Sequence, residues 1–147
     1  MGLKVYLPLA AITFLAATTG SDVVARTSIT GEAFDVALRD HLYWAGVQFV
    51  GTILLFAPFF AVAFVCSRVE KRARSRSAAL IFGLAMVTLL YFYFYGYQGA
   101  QHAVLEQKWT AAALSVGLLP FFVGFPTIFG VLVAGAVAAK FDRRTSD

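Results

Sequence analysis

His41 and His102 are the only imidazoles in the chain, and each belongs to a line of polar side chains at helical spacing. His41, Gln48 and Thr52 are separated by seven and four residues, which places them on one face of a helix. Tyr91, Tyr95, Gln98 and His102 recur at four, three and four, and Glu106 follows four further on if that helix continues. Brought together, the two faces would form a pocket of hydroxyls, amides and imidazoles able to hold a quinone-like head group, a lipid head group or a metal ion. The plainer alternative is structural: Gln and Thr join membrane helices through hydrogen bonds averaging about 0.6 kcal/mol, and Tyr and His sit at the interface. A metal centre has the least support, because two His and one Glu from separate segments lack a fixed spacing such as HExxH.

Other chemistries are opposed by the residue content. The single cysteine, Cys66, provides neither a disulfide nor a CxxC redox pair. A phosphate-binding glycine loop, a GxSxG elbow and paired histidines at haem-like depth are all missing from the sequence. The apolar segments hold no acidic residue, which argues against proton-coupled antiport through an intramembrane carboxylate. These residues leave the cofactor unknown.

The elements that must position these side chains are apolar. Hydrophobic residues make up 60% of the 147-residue chain and charged residues only 14%, against about 25% charged in soluble domains. Four stretches lack Asp, Glu, Lys and Arg altogether: 5–20, 42–66, 78–98 and 110–139. A span needs about 20 residues at about 1.5 Å each, so the second and third suffice outright and the first is short. The first has a rival reading as a secretory signal, with Lys4 as the n-region and Val23-Val24-Ala25 as the cleavage site. The fourth is too long for one straight helix, and Pro120 and Pro126 predict a kink or break, or else a re-entrant entry. The expected fold is therefore all-α: one domain, an integral membrane four-helix transmembrane bundle with its fourth helix kinked or broken at Pro120/Pro126.

Charge orients this bundle. Of twelve lysines and arginines only Arg26, Arg39 and Lys108 fall in the expected outer loops, 21–41 and 99–109. The others, including Lys4, Lys140, Arg143 and Arg144, lie at the chain ends or in the basic loop 67–77. The positive-inside rule then predicts both termini in the cytoplasm. Tyr43, Trp44, Tyr91 to Tyr97 and Trp109 form an interfacial belt on the opposite side. In the loop 21–41, Thr30 is expected to cap a short surface helix from Gly31 to Asp40.

The basic loop reads first as a topology anchor. Its cations Arg68, Lys71, Arg72, Arg74 and Arg76 also suit anionic lipid head groups, each contributing about 1 kcal/mol near such a surface, and Ser75 and Ser77 offer charge switching. Cys66 reads as an inert small hydrophobe, with lipidation as the alternative. Small-residue pairs four apart, Ala57/Ala61, Ala79/Gly83, Gly96/Ala100 and Gly130/Ala134, allow helices to approach closely, within the bundle or between copies.

The leading functional expectation is non-catalytic. A small multi-pass protein of a bacterial inner membrane would act through lateral contacts, as accessory subunit, assembly factor or neutralising partner of another membrane protein. Its partners would be membrane lipids and a homo- or hetero-oligomer, not nucleic acid. A small oligomeric channel or transporter using the Pro-broken fourth helix is the first alternative. A membrane enzyme or redox subunit with an outer-face His/Glu/Tyr pocket is the second.

Overall fold

Phe82, Met86, Leu89, Tyr93 and Tyr97 are spaced by three and four residues and all are buried, so one long helix turns this stripe inward. Leu80, Leu84 and Val87 on the same helix are exposed on its other side. The structure, a computed structural model, describes residues 2–144 apart from the side chains of Ser75, Arg143 and Arg144. The expected switch at Ser75 and the cations Arg143 and Arg144 therefore fall on side chains outside the described residues.

Among the described residues the regular structure is helical throughout. In chain order it comprises α1 (Leu3–Leu15), α2 (Ser21–Ala25), α3 (Phe34–Val47), α4 (Phe49–Val69), α5 (Ser75–Leu105), α6 (Trp109–Gly117) and α7 (Phe125–Arg144). Wider π turns at Ala16–Gly20, Arg26–Thr30 and Pro120–Gly124 join several of these. Four helical stretches are long and apolar enough to cross a membrane: Leu3–Thr30, Phe49–Val69, Arg76–Leu105 and Trp109–Asp142.

These spans pack as an antiparallel bundle. α1 lies on α4, and α7 lies on both α4 and α5. Aromatic rings fill the centre, with Phe59 edge-on to Tyr93 at 5.1 Å and Tyr6 against Phe82 at 4.9 Å. The Tyr93 hydroxyl donates to the Leu55 carbonyl at 2.9 Å, tying α5 to α4. A methyl group at Gly124 would overlap the Pro58 ring, so glycine is what lets the third π turn reach α4.

Gly2, Asp142 and the basic loop gather at one end. The Gly2 amide donates to Glu70 at 2.6 Å, and Asp142 accepts from the Arg74 amide at 2.7 Å and the Ser77 hydroxyl at 3.1 Å. Residues 19–48 and 97–113 lie at the opposite end.

Helix boundaries depart from the sequence expectation in three places. The first helix passes Gly20 and runs to Thr30, taking in Asp22 and Arg26, which stand in the expected outer loop. Thr30 is its last residue and not the cap of the next: its hydroxyl donates to the Arg26 carbonyl at 2.6 Å, and Gly31, at φ 71°, ends the helix in the left-handed region. Lastly, the expected 42–66 segment is divided at Gln48 (φ −100°, ψ 41°), so α3 carries His41 and Trp44 while the span begins at Phe49. The Thr52 hydroxyl bridges the division, donating to the Ala45 carbonyl at 3.0 Å.

Candidate functional site

Hydroxyl side chains reshape the helix that carries the site. Thr18 donates to Phe14 O at 2.8 Å, Thr27 to Val23 O at 2.9 Å and Ser28 to Val24 O at 2.6 Å. Such back-bonding competes with the backbone ladder and bends helices, and π turns bracket the short α2 segment on both sides. Asp22, at the start of α2, is thereby turned inward and is only 5% exposed.

Three helical stretches supply donors to this buried carboxylate. Gln101 Nε2 of α5 donates to Oδ1 at 3.1 Å. Arg26 Nε, one turn along the first span, donates to Oδ2 at 3.0 Å, and His41 Nδ1 of α3 lies 2.9 Å from the same oxygen. On the far side of the imidazole, Nε2 is 3.1 Å from the Thr19 hydroxyl, completing a hydroxyl–imidazole–carboxylate line. Arg26 reaches a second carboxylate, with Nη1 3.5 Å from Glu32. A buried charge is tolerated where its lone pairs are met by donors of this kind.

The network forms the polar end of a chamber of about 380 Å³. Depth along each helix sorts the lining. Asp22, Thr18 and Phe14 follow one another inward on the first span, as do Gln101 and Tyr97 on α5. Gln48, Thr52 and Leu55 line the α3–α4 side, and Ala112, Val116 and Pro120 the fourth span. One end is therefore polar and the other apolar. The side chains of Tyr97, Trp44 and Gln48 line the chamber with polar groups that form no hydrogen bond among the described residues.

No protein-family model, curated protein or solved structure matches this chain.

Of the side chains singled out from sequence, the structure brings His41, Gln48 and Thr52 together at the chamber. Tyr91, Tyr95 and His102 lie on an exposed stripe of α5, where the two tyrosine rings pack at 4.7 Å, and Gln98 is half-buried outside the chamber lining. Glu106 is exposed beyond the end of α5. Its partner Lys108, with Nζ 2.7 Å from Oε2, holds the Glu106 carboxyl below its usual range, and the lysine is raised in return. The stripe facing the chamber is the neighbouring one, through Tyr97 and Gln101, with Tyr93 on the same stripe buried in the core. Asp22, Arg26, Tyr97 and Gln101 are absent from the pocket expected from sequence, where Arg26 stands only as a loop cation and Tyr97 only as part of the interfacial belt. The one local signal for the first two is their spacing of four, which suits an intrahelical ion pair. Among the described residues no three His, Cys, Asp or Glu side chains gather where a metal ion could sit.

Proposed function

We propose that this is a multi-pass membrane protein that binds a neutral amphiphile in the chamber. The observation that carries this reading is the buried, three-donor Asp22 carboxylate at one end of a cavity whose other end is apolar. A head group with hydrogen-bond acceptors suits the unengaged groups of Tyr97, Trp44 and Gln48, and an apolar tail suits Phe14, Leu55 and Pro120. Neutrality follows from charge. Arg26 is shared between Asp22 and Glu32, so an anionic head group would meet two carboxylates for one guanidinium.

In this reading the basic end faces the cytoplasm of a bacterial inner membrane, both chain ends lie inside, and the chamber opens outward. In the same reading the fourth span is kinked at Pro120 and Pro126, a proposal supported by the wider π turn at Pro120–Gly124. Organic extraction and mass spectrometry of the protein purified in mild detergent test the proposal. Wild type carries an enriched neutral amphiphile, and Gly51→Leu, which projects into open space in the chamber lining, depletes it. Absence of any enriched species from wild type would sink the reading.

Lateral association is a second reading, favoured by an apolar groove of about 470 Å³ between α5 and α7, lined by Leu84, Thr88, Phe122, Pro126 and Gly130 among others. A second copy or another membrane protein would seat there, with this chain as accessory subunit, assembly factor or neutralising partner. Blue-native separation checks it: a monomer with nothing co-migrating removes the idea.

A further inference from the structure

Arg68 and Arg72 stand one helical turn apart, the first near the end of α4 and the second in the turn that follows. Both line a groove of about 400 Å³ between α4 and α7, at the end of the bundle away from the chamber. Its floor is apolar: Phe64, Val69, Leu132, Gly135 and Ala136. A methyl at Gly135 would overlap Val69, so the two helices meet at the base of the groove and keep it shallow. The Arg68 guanidinium lies 5.0 Å from the Phe64 ring centroid, holding its charge over apolar surface. Both arginines are exposed, and among the described residues neither forms an ion pair with a carboxylate.

This combination selects its occupant. A small soluble anion would leave the floor bare, and an uncharged chain would leave the arginines unmatched. We propose that the groove holds a single anionic phospholipid of the membrane, its phosphate on Arg68 and Arg72 and one acyl chain along Leu132 and Ala136. Two arginines a turn apart match phosphate oxygens, while the floor replaces neighbouring acyl chains. The other lateral groove, between α5 and α7, has an apolar lining and no cation.

Native mass spectrometry of the full chain tests this, using a mixture of phosphatidylglycerol and phosphatidylcholine in mild detergent. Wild type retains phosphatidylglycerol in preference to phosphatidylcholine. Each arginine contributes about fivefold, so R68Q/R72Q weakens retention roughly 25-fold, whereas K71Q/R76Q changes it less than about twofold. Ala136 is exposed, and A136F fills the groove with both arginines intact, so it also abolishes retention. Equal loss in the two double variants indicates a diffuse basic surface and overturns the proposal. So does full retention by A136F, or competition by soluble glycerophosphoglycerol as strong as that by the lipid. Matching circular dichroism and elution profiles identify variants that remain folded, and the arginine pair decides the question if A136F does not.

Discussion

Asp22 is the side chain on which the far end of the bundle converges. Its partners come from its own helix, from α3 and from α5, so removing it unlinks three stretches and leaves His41 and Gln101 without their shared acceptor. Breaking a buried ionic cluster by deleting one member costs about 3 kcal/mol. Gln101→Leu removes a single donor, and the remaining groups stay paired, which costs about 1 kcal/mol. Unfolding followed in mild detergent should therefore rank Asp22→Ala well below Gln101→Leu, with Gln101→Leu slightly below wild type. Asp22→Ala within about 0.5 kcal/mol of wild type would mean that the carboxylate does not hold these helices together. The Glu106–Lys108 pair is a useful contrast, because both groups are fully exposed and solvent screens them. Its lowered carboxyl contributes above the ordinary 4.5 and loses that contribution as pH falls through the folded value; its raised lysine contributes below 10.5 and loses it as pH rises.

At the scale of elements, legibility follows from where the stabilising contacts lie. The runs 78–98 and 110–139 fall inside the long helical stretches Arg76–Leu105 and Trp109–Asp142, because an unbroken apolar run has few other ways to satisfy its backbone in a bilayer. The continuation of the first helix from Gly20 to Thr30 is hard to read from neighbouring residues, since two charges and several hydroxyls resemble a loop. What supports it are partners 19 and 79 residues away, His41 and Gln101. The division at Gln48 is equally obscure: neither Gly nor Pro stands at the break, and the bridging bond from Thr52 spans seven residues. On α5 two adjacent stripes both carry tyrosine and glutamine. Which one turns inward depends on packing against α4 and the first span, so Tyr97 and Gln101 line the chamber and Tyr91 and Tyr95 do not. The candidate site was thus half visible: the α3–α4 residues had a local spacing signature, whereas the Asp22 cluster is assembled from distant segments.

Across the whole molecule, charge is divided between two ends. Lys4, Arg68, Lys71, Arg72, Arg74, Arg76 and Lys140 share one end, while Arg26, Arg39 and Lys108 at the other stand among Asp22, Glu32, Asp35, Asp40 and Glu106. That asymmetry underlies the proposed orientation, in which the chamber opens outward and the phospholipid groove meets the inner leaflet. The native thiol gives little background, because Cys66 is buried. Ser28 is exposed at the chamber end and Lys71 at the basic end, so single cysteines at these positions report the two surfaces. A membrane-impermeant maleimide added to intact cells should label Ser28→Cys and should reach Lys71→Cys only after permeabilisation. The opposite pattern would invert the orientation and place the chamber inside, where its amphiphile would have to come from the cytoplasmic leaflet. Labelling of both positions in intact cells would contradict a membrane-spanning bundle, since these ends are separated by helices long enough to cross the hydrocarbon core.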